Sequence, residues 1–433
     1  MRRTVTVRLL PDKDAEAKLR ALCSLSSKLW NEVNYERRRQ FFEAKRVDLK
    51  QTYRKFYEKY KALIGSATAQ QVLNKNDEAW RSFFLLLKAK KEGKLPPYMS
   101  RVSPPGYRKR GGRRVMWTVL RNDQYRIDND YVVINGLGAI GSLRVRFSGR
   151  VHITGKQGRA EIRYDGDEKK WYMHVSFEVE EKIVRDKRAR FPMKPLGDRI
   201  TGVDIGINNL LAVYVDDGSA LLVSGRPLKS ISFHWRGRIA GYQSTLNRYG
   251  LKTSKRLRRM HKKWRRQVKS YIDWAVRNVV EWLHRRSVGR VIVGYPKYVV
   301  QKPEKGSKVN FEVVHVWSYG YLLKRLREVA VEYGIEVEFI DESNTSRTCP
   351  LCRTRAGHKR VTRGLLKCYK HKKAFNADLV GAFNILSKEK PIAPSPALCG
   401  VGVTRPRPGA GLNQARAWDV AQNLPALKGT PVL

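Results

Sequence analysis

Apolar and polar positions alternate along the chain with two different periods. Residues 4–10, TVTVRLL, alternate one by one, which is typical of a β-strand. From Asp14 to about Leu87 apolar residues recur at every third or fourth position, which predicts amphipathic helices. Between Val115 and about Val179 the period returns to two, and turn residues separate short strands. We expect a small β-barrel that takes its first strand from the N-terminus and carries the helices as an insertion.

The second half of the chain predicts an α/β domain, because strands alternate there with helices. Residues 199–225 predict two strands with a hairpin turn at 216–219, and a basic helical region follows from about 233 to 287. The strand RVIVGYP, a helix near 318–333 and the strand IEVEFIDE come next. The stretch from about Ser387 onwards is rich in Pro, Gly and Ala, and we expect it to be mostly disordered.

The charge of the chain indicates a polyanionic partner. Lys and Arg number 88 against 39 Asp and Glu, which gives a formal net charge of +49. Such an excess repels itself in a compact state, whereas the phosphates of a nucleic acid neutralise it and release counterions. Nucleic acid is therefore the expected partner.

One helical segment concentrates this charge. Residues 252–269 contain ten Lys or Arg and no acid, which predicts a nucleic-acid groove. The residues expected to line it are Lys255, Arg256, Arg258, Arg259, Lys262, Lys263, Arg265 and Arg266. We expect Trp264 and Trp274 of the same region to belong to the core. Arg37, Arg38 and Arg39 of the inserted helices are expected to contact the same nucleic acid.

The sequence predicts a cytoplasmic protein without membrane contact. The start MRRTVTVRLLPDKD lacks the apolar run of a signal peptide, and no stretch reaches the roughly 18 apolar residues that a membrane helix needs. Three of the five cysteines cluster with a histidine, as metal ligands do in a reducing compartment.

That cluster has the spacing of a structural zinc site. Cys349 and Cys352 are followed, after fifteen residues, by Cys368 and His371. Three thiolates and an imidazole complete a closed tetrahedral shell, so a zinc ion here would stabilise the fold and hydrolyse nothing. His371 is the weakest of the four predicted ligands, and His358 is its competitor.

Three carboxylates stand at the ends of predicted elements in the same half of the chain. Asp204 interrupts an otherwise apolar strand, Glu342 ends the strand IEVEFIDE, and Asp378 opens the helix NADLVGAFNIL. A buried carboxylate needs a partner or a metal, although Asp204 by itself could simply cap the turn at Gly206. Three carboxylates that converge can hold two divalent cations about 4 Å apart, the arrangement that cleaves phosphodiesters. Mg²⁺ suits such all-oxygen ligands.

The motifs TGVDIGINNLLAVYV, IDESNTSRTCPLC…CYKH and NADLVGAFNIL resemble the split RuvC nuclease motifs of the TnpB family. Members of that family are transposon-encoded RNA-guided DNA endonucleases related to compact type V CRISPR effectors. The resemblance is specific from about residue 196 to 386 and weaker over the N-terminal strand, helices and barrel. It implies a prokaryotic protein with an RNase H-like nuclease fold and Mg²⁺-dependent cleavage. It also implies a guide RNA from the transposon end and a double-stranded DNA target with a short flanking motif.

The resemblance also assigns the predicted elements to expected domains. These are the first strand of a wedge β-barrel (1–12), a helical recognition domain (13–105), the wedge β-barrel (106–195), the first part of the RuvC nuclease domain (196–345), a zinc-binding module that contacts the target nucleic acid (346–374), the last RuvC helix (375–390) and a mostly disordered tail (391–433).

One position departs from the family pattern. The family carries a catalytic glutamate at the end of the middle strand, in a pattern similar to VIVEDL, whereas this chain has Gly294 in RVIVGYPKY. Either the nuclease is inactive, or Glu342 on the neighbouring strand supplies the missing carboxylate across about 5 Å. We favour the second interpretation, which makes Asp204, Glu342 and Asp378 the catalytic ligands of two Mg²⁺ ions.

Several alternatives stay open at this point. Asp341 is another possible donor, but strand alternation puts it on the other face, and Glu304 and Glu312 lie in a predicted loop. An inactive relative would use a guide RNA to occupy DNA as a repressor does. A third class is a transposon-associated nucleic-acid-binding protein that works without a guide.

Overall fold

The computed structural model describes two compact units, Met1–Ala189 and Arg190–Leu433. Each unit has its own sheet and its own apolar core. Within the described residues no helix is both long and apolar enough to cross a bilayer. The described residues are 2–95, 101–110, 113–149, 151, 155–179, 181–184, 187–190, 193–295, 318–342, 345, 348–354, 358–362 and 364–406.

The first unit contains three long helices and one large sheet. Its elements in chain order, with β11 at the boundary to the second unit, are β1 (Arg2–Leu10), α1 (Lys13–Ala44), α2 (Leu49–Ile64), α3 (Ser66–Lys91), β2 (Lys109–Arg110), β3 (Arg113–Arg114), β4 (Trp117–Leu120), β5 (Tyr125–Asp128), β6 (Tyr131–Ile134), β7 (Leu143–Ser148), β8 (Gln157–Asp165), β9 (Lys170–Glu178), β10 (Glu181–Val184) and β11 (Lys187–Arg190).

Seven of these strands form one antiparallel sheet in the order β4-β8-β9-β1-β7-β6-β5. The N-terminal strand β1 joins the later strands, as its alternation predicts, and pairs with β9 on one side and β7 on the other. Alternate residues of β9, including Trp171, Met173 and Val175, are buried. They share one apolar core with helices α1, α2 and α3, which are inserted between β1 and β4.

One arginine that the sequence assigned to nucleic acid belongs to this core instead. Arg37 on α1 is fully buried. Its guanidinium donates to Thr52 Oγ1 at 2.9 Å and Asn76 Oδ1 at 2.8 Å and pairs with Asp77 at 2.6 Å. The prediction for Arg37 is wrong, because a buried guanidinium is stable only with such partners and these join α1 to α2 and α3. Arg38 is half-buried and Arg39 exposed, so their assignment stays a prediction.

The second unit alternates strands and helices. Its elements are β12 (Arg199–Ile205), β13 (Asn209–Val215), β14 (Ala220–Ser224), α4 (Arg226–Arg248), α5 (Lys255–Arg285), β15 (Val288–Tyr295), α6 (Tyr319–Glu332), β16 (Glu336–Asp341), β17 (His358–Thr362), β18 (Leu365–Cys368), β19 (Lys373–Asn376) and α7 (Ala377–Ser387).

Five strands of this unit form a mixed sheet in the order β14-β13-β12-β15-β16. The first three are antiparallel neighbours, whereas β15 and β16 run parallel to β12. Helices α5 and α6 pack against one face, where Val203 and Val293 are buried. Helix α7 covers the opposite face, where Ala212 and Ile292 are buried. The sheet therefore has two different sides, and α7 lies on the side that carries the candidate acids.

Two sequence expectations for this unit change in the structure. The basic region is two helices, α4 and α5, because Gly250 adopts a φ of +66° in the turn between them. The first part of the expected tail also packs on the sheet. Thr404 forms a parallel bridge with Leu221 of β14, and Ser395 Oγ donates to Gly218 O at 2.7 Å. Residues 407–433 lie outside the described part of the chain.

The zinc-spaced segment forms a small antiparallel sheet of β17, β18 and β19. The last residue of β19, Asn376, is also the N-cap of α7 and accepts hydrogen bonds from the backbone of Asp378 and Leu379, both at 3.1 Å. The small sheet therefore leads directly into the helix that carries the third candidate acid.

Candidate metal centres and nucleic-acid interface

Asp204 lies near the end of β12, on the face that α7 covers. Two residues earlier, Gly202 approaches α7 so closely that a Cβ there would lie 2.1 Å from Ala382 O. On the helix, a Cβ at Gly381 would lie 2.8 Å from Asp204 Oδ2. Both positions need glycine, and together they hold the half-buried Asp204 carboxylate against the helix.

Asp378 lies in the first turn of α7, one helical turn before Gly381. Its Oδ2 accepts a hydrogen bond of 2.8 Å from Asn209 Nδ2, at the start of β13. A carboxylate at this end of a helix is favoured by the exposed backbone N–H groups. Because β13 pairs with β12, this hydrogen bond fixes Asp378 on the same side of the sheet as Asp204.

Glu342 follows the last residue of β16 and lies over Gly294. A Cβ at Gly294 would lie 3.0 Å from Glu342 Cβ, 3.2 Å from Glu342 Oε2 and 2.6 Å from Ile385 Cδ1 of α7. The Glu342 side chain thus fills the space above the middle strand β15, where the related family carries its own glutamate. Glycine at 294 is what makes room for it.

The Glu342 carboxylate is poorly compensated by the described residues. Its Oε2 is buried and has no hydrogen-bond partner among them. Burial and the neighbouring Asp341 carboxylate raise its pKa to about 7, against the opposing effect of the Lys388 ammonium. An orphaned buried carboxylate in an all-oxygen donor set fits a hard divalent cation such as Mg²⁺.

The three acids are arranged along one face of α7. Asp378 belongs to the helix, Asp204 lies against Gly381, and Glu342 lies beside Gly294 and Ile385. Helix positions 378, 381 and 385 share a face, and the seven-residue span corresponds to about 10 Å. Asp204 is therefore the central member of the set.

This spacing is wider than a single ion requires. Within the described residues, only the Cys/His cluster has three or more metal-binding side chains whose ligand atoms all lie within 4.8 Å of one another. Two cations about 4 Å apart, each about 2 Å from its ligands, accommodate outer carboxylates up to roughly 8 Å apart. A two-ion site with Asp204 as the shared ligand stays a prediction.

One of the alternative acids, Asp341, lies within the described residues. Asp341 is exposed, and its backbone carbonyl accepts a hydrogen bond of 2.6 Å from Lys388 Nζ. Glu304 and Glu312 lie outside the described residues.

The zinc-spaced residues form one compact cluster. Cys349, Cys352, Cys368 and His371 have all four ligand atoms within 4.8 Å of one another. Cys352 Sγ lies 3.6 Å from Cys368 Sγ and 3.1 Å from His371 Nδ1, as the edges of a small tetrahedron require. The backbone N–H of His371 also donates to Cys368 Sγ at 3.4 Å. This Cys3His cluster can bind zinc, and His371 is placed where it can supply the fourth ligand.

The thiols of the cluster have unequal proton affinities. Burial and the neighbouring sulfurs raise the pKa of Cys352 to about 11. Burial acts in the same direction on Cys368, but hydrogen bonds from the backbone and ring of His371 lower its pKa to about 6. Cys368 is therefore the more readily ionised of these two thiols, whereas a bound metal deprotonates its thiol ligands outright.

The predicted nucleic-acid residues form the first half of α5. That half begins at the N-cap Ser254, whose Oγ accepts a hydrogen bond of 3.1 Å from Leu257 N. Arg258 and Lys262 are half-buried, and the other six are exposed: Lys255, Arg256, Arg259, Lys263, Arg265 and Arg266. Trp264 and Trp274 pack against the core, as the sequence predicts. The geometry provides a basic, solvent-facing helix, and its ligand stays a prediction.

Sequence reasoning missed two contributors to the acid site. Asn209 orients Asp378, and Gly381 admits Asp204. The asparagine pair at 208–209 directly after the Asp204 strand was a visible signal for the first. Nothing in the spacing of Gly381 distinguishes it from an ordinary helix glycine.

Two family models match adjoining parts of the second half of the chain. One, described as a probable transposase (OrfB_IS605), covers residues 174–300, and the other, the Cas12f1-like TNB domain, covers residues 319–385. These parts of the chain are therefore similar to a probable transposase and to a Cas12f1-like domain.

The relatives identify the family. TnpB-like protein ORF457 of Acidianus two-tailed virus is 39% identical over 408 residues, which cover 89% of this chain and 86% of the relative. TnpB-like protein MJ0751 of Methanocaldococcus jannaschii is 22% identical over 228 residues, 50% of this chain and 80% of that relative. The chain belongs to the TnpB family.

A solved structure shares the fold. A chain from the cryo-EM structure of the Cas12f1–sgRNA–target DNA complex superposes with a TM-score of 0.56 at 14% identity. The match covers 89% of this chain and 98% of the Cas12f1 chain. The two proteins therefore have similar folds despite low sequence identity.

Proposed function

We propose that the protein is an RNA-guided DNA endonuclease associated with an insertion-sequence transposon, which cleaves target DNA by two-metal-ion phosphodiester hydrolysis. The observation that carries the proposal is the Glu342 carboxylate above Gly294, on the same face of α7 as Asp204 and Asp378. The strand order β14-β13-β12-β15-β16 supports an RNase H-like RuvC domain, which the zinc-binding module at 346–374 interrupts.

In this proposal Asp204, Glu342 and Asp378 hold two Mg²⁺ ions through carboxylate oxygens. When bound, such a pair of ions activates a water molecule and stabilises the leaving oxygen of the cleaved strand. The chain itself positions the ligands: Asn209 Nδ2 holds Asp378 Oδ2, and the glycines at 294 and 381 let Glu342 and Asp204 approach α7. The burial of Glu342 favours a cation, because an ionised carboxylate there is otherwise uncompensated.

The proposed partners are a guide RNA from the transposon end and a double-stranded DNA target with a short flanking motif. The net charge of +49 and the basic first half of α5 support binding of both strands of a guide–target duplex through their phosphates. The Cas12f1 chain with the similar fold was solved with sgRNA and target DNA. The first unit would then supply the wedge and recognition domains.

The zinc site has a separate role in the proposal. Zinc bound by Cys349, Cys352, Cys368 and His371 would hold the three-stranded sheet β17–β19 and leave no open position for catalysis. Zinc binding needs reduced thiols, which are typical of a cytoplasmic protein.

Gly294 gives one specific reason to consider a second function. A chain that has lost the family's glutamate without replacement would bind guide RNA and occupy DNA without cutting it. The two functions differ in one observable, since only the nuclease produces broken DNA that depends on both Mg²⁺ and Asp204.

The test begins with the RNA that co-purifies with the protein expressed beside its transposon end. We expect one discrete RNA, which is sequenced and supplied with a plasmid target that carries a randomised flank. Cleavage of flank-selected plasmids in Mg²⁺ supports the proposal, with Asp204→Ala as the control. Discrete RNA and target binding without cleavage would indicate the inactive function, and heterogeneous RNA a guide-independent protein.

A further inference from the structure

Thr345 and Thr348, which lie between β16 and the zinc cluster, are hydrogen-bonded to α7 through one buried amide. Asn384 is 7% exposed and lies on α7, six residues after Asp378. Its Nδ2 donates to two backbone carbonyls, Thr345 O at 2.6 Å and Thr348 O at 2.8 Å. Both hydrogens of the amide are thereby used, as a buried amide requires.

The first of these carbonyls belongs to a residue that holds Glu342. Thr345 is 5% exposed. Its Oγ1 donates to Glu342 O at 2.8 Å, and its backbone N–H donates to the same oxygen at 3.2 Å. The position of Glu342 at the end of β16 is therefore tied through Thr345 to Asn384.

The second carbonyl leads to the zinc cluster. Thr348 directly precedes the buried ligand Cys349, and Cys349 N in turn donates to Thr354 O at 3.1 Å. A single side chain on α7 thus binds the chain at the acid site and at the zinc cluster.

We propose that Asn384 is a positioning residue of the nuclease centre, which sets the Glu342 carboxylate in place through Thr345 and couples it to the zinc-binding segment through Thr348. The inference rests on the proposed nuclease function. Glu342 follows the end of its strand and lies beyond the last position paired with β15. Asn384 supplies a restraint there from the helix that also carries Asp378.

Asparagine suits this position because its side-chain amide can donate two hydrogen bonds. An aspartate of the same shape has no hydrogen to donate when ionised and would face two carbonyl oxygens. Groups that orient metal ligands typically change metal affinity or activity by roughly 10- to 100-fold when they are removed.

The test compares three full-length variants, each purified with its RNA: Thr345→Val, Thr345→Ser and Asn384→Asp. Thr345→Val removes the hydroxyl that binds Glu342 O and keeps the shape, whereas Thr345→Ser keeps the hydroxyl. Mn²⁺ binding is measured by electron paramagnetic resonance, and the Mg²⁺ concentration for half-maximal cleavage is measured with a matched plasmid. Zinc content and thermal unfolding report the fold.

We expect Thr345→Val to weaken Mn²⁺ binding and to raise the Mg²⁺ requirement by roughly tenfold, and Asn384→Asp to do so by roughly tenfold or more. Thr345→Ser should match the wild type, and the Thr345 variants should retain their zinc. A purely structural role would lower the unfolding temperature and leave Mn²⁺ affinity per folded molecule unchanged, which would overturn the inference.

Two further outcomes separate this inference from the function on which it rests. If Asn384→Asp fails to fold, the Thr345 pair decides, because both variants leave the buried amide intact. If the wild type and Asp204→Ala bind the same amount of Mn²⁺, no bound ion depends on Asp204. The proposed function then fails, and the inference fails with it. If the wild type binds Mn²⁺ and cleaves DNA, and Thr345→Val does both equally well, the inference is refuted but the proposed function is not.

Discussion

The two candidate cation sites of the second unit are built in opposite ways. The zinc cluster takes its ligands from the 23 residues from Cys349 to His371 inclusive, and backbone hydrogen bonds within that segment hold them. The acid site gathers Asp204 and Asp378, which are 174 positions apart in the chain, through sheet order and helix packing. The first site is fixed by local spacing, whereas the second is fixed by topology.

This difference bears on the proposed exchange of the catalytic carboxylate between strands. A ligand at the end of one parallel strand has a neighbour on the next strand about 5 Å away, so the carboxylate can come from either. The exchange needs space, and Gly294 provides it beneath Glu342. The four candidate zinc ligands instead come from one short segment that contains its own small sheet.

The largest loss of cleavage should follow removal of Asp204, the central acid, or of Asp378, the acid on α7. Asp204→Ala and Asp378→Ala should each lower the cleavage rate by about 1,000-fold or more, because metal ligation contributes several kcal/mol to the transition state. Binding of the co-purified RNA should change little. Asp123→Ala, which removes an exposed acid of the first unit, is the matched control. Cleavage by Asp204→Ala at the wild-type rate would show that Asp204 is not a ligand of the catalytic metal.

The next largest effect concerns the zinc cluster. Cys368→Ser removes a fully buried ligand and should abolish stoichiometric zinc binding, because three remaining ligands leave the tetrahedral shell open. Cys399→Ser, at an exposed cysteine outside the cluster, should retain the zinc. Metal analysis of the purified chains checks both, and full zinc in Cys368→Ser would show that this residue is not a ligand.

An intermediate effect should come from filling the space above the middle strand. The Cβ of Gly294→Ala would meet Glu342 and Ile385 and should displace the carboxylate, lowering cleavage by roughly 10- to 100-fold. Gly241→Ala, on α4 where a Cβ meets nothing within 4 Å, is the control. The double variant Gly294→Glu with Glu342→Ala should recover part of the activity, since it restores a carboxylate to the middle strand. Unchanged cleavage by Gly294→Ala would contradict the proposed exchange.

The smallest effect is a pH-dependent change in stability without divalent cations. The folded-state pKa of Glu342 is raised from 4.5 to about 7, so its contribution to stability is present below pH 4.5 and is lost as the pH rises through 7. Glu342→Gln should therefore melt a few degrees above the wild type at pH 8 and close to it at pH 5, as about 1 kcal/mol shifts Tm by about 2–4 °C at this size. Calorimetry in EDTA-free, metal-depleted buffer measures both values. Equal melting temperatures of Glu342→Gln and the wild type at pH 8 would show that the ionised Glu342 carboxylate does not destabilise the fold.

The sequence predicted the parts of this molecule that depend on short-range pattern. Ligand spacing gave Cys349 to His371 as one cluster, and the β1 alternation gave its place in the seven-stranded sheet. The acids were found as strand and helix ends, and the structure places them along one helix face. What spacing could not show is the close approach at Gly381, because it depends on how tightly a helix lies on a sheet.

Other errors have the same origin in tertiary contacts. Three consecutive arginines at 37–39 are chemically alike, and only the three-dimensional arrangement of α2 and α3 determines that Arg37 is the buried one. The segment from 391 to 406 has no period of its own, yet Leu398 is fully buried against the same core as α7. Such segments take their order from the surface on which they lie.

The central claim is that Glu342 replaces the carboxylate that the middle strand lacks. The most direct measurement is the cleavage rate of Glu342→Ala, bound to its own RNA, on a matched DNA target in Mg²⁺, beside the wild type and Asp204→Ala. The account predicts that Glu342→Ala loses cleavage as Asp204→Ala does, while both variants still bind the target. Cleavage by Glu342→Ala at the wild-type rate would contradict it.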